Sequence, residues 1–144
     1  MLLKKIMQLT SASPNVFFRD PFKPVETDQL ILEIIGLANV DFDGARYIVF
    51  GINKATMEGS GAVGIDDDKL ATLKSAHQLI ATLVQPALQL TFIYDEIDGK
   101  LVGALEIDGC NERPYQVACD YSETLTDGRS WIREGLQFHA AEAG

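Results

Sequence analysis

Arginine and aromatic residues cluster within residues 113–133. The members of this cluster are Arg113, Tyr115, Arg129, Trp131 and Arg133, in a chain with only five arginines and one tryptophan. Guanidinium groups bind phosphate through paired hydrogen bonds, and aromatic rings stack on nucleic-acid bases. In a strand, Arg129, Trp131 and Arg133 would share one face because side chains alternate. We therefore predict a nucleic-acid-binding surface in which guanidinium groups surround an exposed indole.

The same cluster has a structural interpretation. Trp131 would then belong to the core, and the arginines would pair with the neighbouring carboxylates of Glu112, Asp127 and Glu134. Ion pairs of this kind are common on protein surfaces and contribute little to stability. The sequence leaves both interpretations open, and the exposure of the indole distinguishes them.

Two loop motifs resemble ligand sites but are incomplete. The glycines of residues 59–64 have the spacing of a dinucleotide-binding loop, but the helix after them would begin at the three aspartates of residues 66–68. These charges would repel a pyrophosphate. Residues 39–44 resemble the start of an EF-hand loop, whose twelfth position would be Phe50 instead of glutamate. Neither segment predicts a bound ligand.

The titratable residues do not predict a catalytic or metal site. Adjacent aspartates at residues 66–68 point in different directions on a helix, so their carboxylates do not converge on one ion. His77 and His139 have no Cys, Ser or second His at the spacing of a nucleophile pair or a metal site. Cys110 and Cys119 are expected to be free thiols. We expect no catalytic residue, no metal ion and no cofactor.

Two main helices are predicted. Apolar residues recur at helical spacing within residues 28–39, with Thr27 as the expected N-cap, and within the segment from 66 to about 86. Residues 1–25 are expected to form a short helix and an irregular lead-in, because they contain three prolines. We place the domain itself at residues 26–144.

The remaining apolar segments predict strands. Residues 46–52 are continuously apolar and rich in β-formers, which is typical of a central strand covered on both faces. An Asp-Gly turn between residues 90–97 and 100–107 indicates a β-hairpin. Further strands are expected near 115–118 and 130–133. This order predicts a single α+β domain with a mixed sheet packed on two main helices.

The overall charge restricts the function. Twelve Lys and Arg against 21 Asp and Glu give a net charge of −9, which repels phosphate at long range. Nucleic acid could be bound only by a local patch, or with the help of other parts of a longer protein. The hydrophobic fraction of 47% is ordinary for a globular domain. No apolar run approaches the roughly 18 residues of a membrane span, so we expect a cytoplasmic protein without a membrane partner.

Several short motifs together resemble the Schlafen-type AlbA-like domain family. They occur in the expected order and cover roughly residues 28–141. The matching segments are Leu37-Ala38-Asn39, Gly44, Tyr47–Ile52, Val63-Gly64-Ile65 as a short strand, Gln85-Pro86 at a helix end, Arg113-Pro114-Tyr115 and Trp131–Gly135.

The resemblance implies association with nucleic acid, DNA above all. Members are widespread in bacteria, usually as the N-terminal part of transcriptional regulators and of helicase-related or ATP-binding proteins. Similar Schlafen nucleases use a glutamate-rich first strand that ends in Glu-Phe-Lys, whereas residues 20–26 here contain two prolines and lack the paired glutamates. Residues 136–138 also replace the Ser/Thr-rich turn that often follows the last glycine.

Three functional hypotheses follow. The first is a non-catalytic module that binds DNA or RNA or serves regulation. The second is a protein-interaction or assembly module that does not bind nucleic acid and whose partner could be a second copy of the chain. The third is a degenerate metal-dependent ribonuclease or a nucleotide-binding domain. For the ribonuclease, the converging carboxylates of two-metal cleavage are missing from the sequence pattern.

Overall fold

The computed structural model describes residues 13–54, 61–108 and 110–141. Two helices and eight strands occur in this part of the chain. In chain order they are β1 (Val16–Phe18), α1 (Thr27–Ala38), β2 (Arg46–Phe50), α2 (Asp67–Leu83), β3 (Val84–Gln85), β4 (Gln89–Ile97), β5 (Lys100–Asp108), β6 (Gln116–Val117), β7 (Ser130–Glu134) and β8 (Gln137–Ala141).

The main sheet has four strands in the order β1-β2-β5-β4. Strand β1 runs parallel to β2, and the other pairs are antiparallel. Two-stranded sheets are formed by β3 with β6 and by β7 with β8. The predicted α+β fold with a mixed sheet and two main helices is confirmed.

Both helices begin and end close to the predicted residues. Helix α1 starts at Thr27, after an N-cap at Glu26, one residue earlier than expected. Asp66 caps α2, because its side chain accepts a hydrogen bond of 2.8 Å from the backbone N–H of Lys69. The aspartates at the start of α2 therefore stabilise the helix end, where the helix dipole favours negative charge.

The core lies on both faces of the sheet. On one face, Ile48 and Leu105 pack against the buried side of α1 and α2, together with Trp131 from β7. On the other face, Val16, Val49 and Val102 belong to a smaller cluster. Strand β2 contributes to both clusters, which confirms that it is a central strand covered on both faces.

Some boundaries differ from the prediction. The lead-in contains β1 at Val16–Phe18, and the short helix expected at the start of the chain lies outside the described residues. Residues 63–65, expected as a short strand, are irregular and joined to neighbouring segments by single backbone bonds such as Ile65 N–H to the Leu101 carbonyl. The strand expected near 115–118 is shortened to β6, and β8 was not predicted.

Candidate nucleic-acid interface

The two aromatic residues of the predicted surface lie in the core. Trp131 is 3% exposed and Tyr115 is fully buried. Both belong to the main hydrophobic cluster with α1 and α2. The expectation of an exposed indole is therefore wrong, because α1 covers the face of β7 that carries it. Bases cannot stack on rings that water itself does not reach.

Arg133 shares this inward face and binds backbone carbonyls. Its Nε donates to the Gly135 carbonyl at 2.8 Å, and its Nη1 donates to the carbonyls of Ser13 at 3.0 Å and Val16 at 2.7 Å. The guanidinium lies 5.5 Å from the centre of the Phe17 ring. Burial lowers the pKa of this guanidinium. Arg133 thus connects β7 to the start of β1 and is not available to bind phosphate.

Arg113 and Arg129 keep their guanidinium groups at the surface. Arg129 stacks on Trp131 with its guanidinium carbon 4.9 Å from the ring centre, and it donates to the Thr124 carbonyl at 3.1 Å. Arg113 donates to the Val40 carbonyl at 2.9 Å and forms an exposed ion pair of 3.5 Å with Asp41. Phosphate binding by these two arginines stays a prediction, without the stacking partner that motivated it.

The C-terminal end of α1 holds the aromatic residues in place. Asn39 Oδ1 accepts a hydrogen bond of 2.6 Å from the Tyr115 N–H. Its Nδ2 donates to the carbonyls of Tyr115 and Trp131 and to the Ser130 hydroxyl at 2.9–3.0 Å. The Ser130 hydroxyl in turn donates to the Tyr115 carbonyl at 2.7 Å. The sequence motifs at 37–39, 113–115 and 131–135 are therefore parts of one packing arrangement.

A different surface carries exposed aromatic and cationic groups. Two open clefts of about 520 and 480 Å³ share Pro21 and Phe22, and together we call them the lysine groove. Phe22 is 69% exposed and Leu136 is 66% exposed. The groove is lined by Phe18, Arg19, Asp20, Pro21, Phe22, Ile52, Asn53, Lys54, Val63, Gly64, Ile65, Asp66, Lys69, Lys100, Leu101 and Leu136.

Backbone carbonyls accept hydrogen bonds from two lysines of the groove. Lys100 Nζ donates to the Ala62 carbonyl at 3.3 Å, and Lys69 Nζ donates to the Pro21 carbonyl. A carbonyl binds an ammonium group without cancelling its charge. Lys69 is also 4.0 Å from the exposed Asp66 carboxylate, a distance at which an ion pair contributes little. The third lysine, Lys54, has its Nζ 5.0 Å from the centre of the Phe18 ring.

The fourth cation of the groove is neutralised. Arg19 Nε lies 2.9 Å from Oε1 of Glu33, and Glu33 is 3% exposed. Burial raises the pKa of Glu33, which Arg19 and a hydrogen bond from Gln29 partly offset. Three lysines and the carboxylates of Asp20 and Asp66 therefore line the groove beside this ion pair, in a chain of net charge −9.

The sequence prediction missed this surface because its residues are far apart in the chain. The groove combines the β1–α1 loop, the segment after β2, the first turn of α2, the start of β5 and the β7–β8 turn. A run of basic residues would have been visible, whereas three single lysines on three separate segments are not. The excess of cations in residues 1–25, which includes Arg19 and Lys23, was the one available sign.

Within residues 13–54, 61–108 and 110–141, no three His, Cys, Asp or Glu side chains come together so that they could hold a metal ion. Of the helices described, none has the length and apolar character that crossing a membrane requires.

Comparison with known proteins identifies the family. No curated protein matches the chain. The family model described as Schlafen, AlbA_2 matches residues 17–142, which is most of the 144 residues and includes both helices and β2 through β8. The helix–turn–strand motif, the buried Tyr115 and Trp131 and the C-terminal hairpin all lie within the match. The chain therefore belongs to the Schlafen AlbA_2 family.

Proposed function

We propose that this domain is a non-catalytic module that binds nucleic acid through the lysine groove. The observation that carries the proposal is the exposed ring of Phe22, which lies where two clefts lined by Lys54, Lys69 and Lys100 meet. Ammonium groups bind backbone phosphates, and an exposed ring stacks on a base of any identity. Family membership supports the same class of ligand.

The groove favours single strands. Its ring is exposed at the surface, so a base must leave its own stack to cover it. Substitution of a stacking ring by alanine costs about 1–3 kcal/mol per base in single-strand binders. With few cations and a net charge of −9, we expect weak, salt-sensitive binding, with a Kd on the order of 10⁻⁴ to 10⁻⁶ M.

The test uses fluorescence anisotropy with labelled single- and double-stranded DNA and RNA at about 50 mM salt, where few phosphate contacts still give measurable affinity. Phe22→Ala should weaken single-strand binding, and Lys54→Ala with Lys100→Ala should also make it less dependent on salt. Lys74→Ala is the matched control, because Lys74 is an exposed lysine of α2 that does not line the groove. Absence of binding by the wild type, or equal binding by groove and control variants, would refute the proposal.

We propose in addition that the module works within a larger bacterial protein, either a transcriptional regulator or a helicase-related, ATP-binding protein. The net charge of −9 supports this, because it weakens the binding of nucleic acid by the domain alone. Tight binding would then require contacts from other parts of a larger protein. Immunoblotting of host lysate with an antibody against this domain tests the idea. A band well above the mass of 144 residues supports it, and a band at that mass contradicts it.

A further inference from the structure

The four-stranded sheet has two very different edges. Strand β1, at one edge, has three residues and lies between Pro14 and Pro21. Strand β4, at the other, has nine residues, no proline and no lysine, and its pairing with β5 is continuous from Gln89 to Ile97. Prolines, charged side chains, bulges and short length are usual means by which proteins prevent edge-to-edge pairing. Strand β4 is long, contains no proline and pairs with β5 without a bulge, and its charged side chains are the two carboxylates of Asp95 and Glu96.

Two side-chain contacts show which backbone groups of β4 face outward. His77 Nε2 lies 3.1 Å from the Leu90 carbonyl, and the Asp95 carboxylate accepts a 2.8 Å bond from the Glu96 N–H. These groups therefore point away from β5. Because outward and inward residues alternate in an antiparallel strand, Phe92 and Tyr94 also direct their N–H and C=O groups to the outer edge, where none of the described strands pairs with β4.

We propose that a second copy of this chain adds to this edge, with β4 pairing antiparallel to β4 around a two-fold axis at Ile93. Phe92 then lies opposite Tyr94 of the partner subunit, and each such pair exchanges two backbone hydrogen bonds. The symmetric pair adds two more. These four bonds form while the contacts of His77 and Asp95 remain intact, and they join the two sheets into one of eight strands.

The side chains of β4 fit a copy of themselves in this register. Asp95 faces Thr91 of the partner subunit, and Glu96 faces Leu90 of the partner subunit, so like charges do not meet. Phe92 and Tyr94 already stack within one chain, at 5.6 Å and 18° between rings, and Tyr94 is 41% exposed. Across the axis these rings meet their copies, and aromatic cross-strand pairs are among those that stabilise sheets.

The experiment is sedimentation equilibrium from micromolar to about 1 mM protein, the range in which a weak dimer becomes populated. Thr91→Lys places an ammonium group opposite Asp95 of the partner subunit, and Thr91→Asp places a second carboxylate there. Since each contact occurs twice in the dimer, the dimer Kd should fall in the first variant and rise in the second, by between about twofold and thirtyfold.

Matched controls separate this effect from net charge and from folding. Thr82 is an exposed threonine of α2 beside Cys119, away from β4, so Thr82→Lys and Thr82→Asp change the net charge equally. These variants should leave the Kd of the dimer close to the wild-type value. Because Thr91 also faces Glu106 within the chain, the stability of each variant is measured at dilutions where only monomer is present.

Hydrogen exchange gives a second measurement. The amides of Phe92 and Tyr94 should exchange rapidly in dilute protein and become protected as the concentration rises. A wild-type chain that stays monomeric over the whole range overturns the proposal. So does a dimer in which Thr91→Lys and Thr91→Asp have the same Kd, since such a dimer forms through another surface. The outcome is independent of nucleic-acid binding, because β4 does not line the lysine groove.

Discussion

Replacement of Asn39 by alanine tests how the C-terminal end of α1 holds the domain together. In the wild type, the side-chain amide of Asn39 accepts a hydrogen bond from the N–H of Tyr115 and donates one to the carbonyl of Trp131. The Trp131 carbonyl points away from β8. Glu134 and Gln137 flank the hairpin turn as a hydrogen-bonded pair, and hydrogen-bonded and non-hydrogen-bonded pairs alternate along the two strands, so Trp131 belongs to a non-hydrogen-bonded pair. Asn39→Ala leaves both buried groups without this partner, whereas the Tyr115 carbonyl keeps its bond from Ser130.

The expected loss of stability is large. A buried polar group left unsatisfied costs about 1–3 kcal/mol, so two such groups cost about 2–6 kcal/mol. Domains of this size are stable by about 5–15 kcal/mol in total. Asn39→Asp keeps the acceptor for the Tyr115 N–H but loses both N–H donors, so it should also destabilise the fold.

Urea unfolding followed by the fluorescence of Trp131 measures this change, because the chain has one tryptophan and it is buried beside Asn39. Asn15→Ala is the control, since Asn15 donates one long bond of 3.4 Å to the Ala45 carbonyl. Its effect should stay below about 1 kcal/mol. A loss for Asn39→Ala as small as that of the control would refute the assignment of Asn39 as the residue that joins α1 to the C-terminal strands.

Three further predictions concern buried groups. Burial raises the pKa of Glu33 above its ordinary value, so the native state binds this proton more tightly than the unfolded state. The free energy of unfolding should therefore fall as the pH rises through the raised pKa. Urea titrations at a series of pH values should show this pH-dependent decrease in the wild type and not in Glu33→Gln. Gly36→Ala places a Cβ 2.4 Å from Cδ1 of Phe138. The overpacking cost of about 1–3 kcal/mol should exceed the gain in helix propensity of at most about 1 kcal/mol, and thermal unfolding at an unchanged or higher temperature would contradict this. Arg133→Ala removes the donors to the carbonyls of Ser13 and Val16 and should lower stability by about 2 kcal/mol or more. Arg129→Ala should cost less because its guanidinium is exposed, and equal urea midpoints for the two variants would count against the buried role of Arg133.

Periodicity was sufficient to predict the two helices and the long hairpin. Apolar residues recur at helical spacing from Leu30 to Ala38, which indicates a buried helix, and the Asp-Gly turn at residues 98–99 indicates the hairpin. Strand β1 escaped prediction because Pro14 and Pro21 surround only three strand residues. Its pairing with β2 depends on tertiary contacts that local sequence does not encode.

The side-chain roles were harder to predict than the elements. Alternation correctly placed Trp131 and Arg133 on one face of β7, but alternation does not say which face α1 covers. The structural interpretation was right about the indole. Arg133 and Arg129 bind backbone carbonyls, partners that every residue possesses and that leave no pattern in a sequence. Charge pairing could be guessed from neighbouring carboxylates, and carbonyl binding could not.

The bonds of Arg133 also constrain when the domain can form during synthesis. Arg133 Nη1 binds the Val16 carbonyl across 117 positions of sequence, and Asn39 binds the Trp131 carbonyl across 92. A ribosome must therefore have released β7 from its exit tunnel before β1 and the end of α1 obtain their native partners. Until that moment the apolar side of α1 remains without the indole that covers it in the native domain.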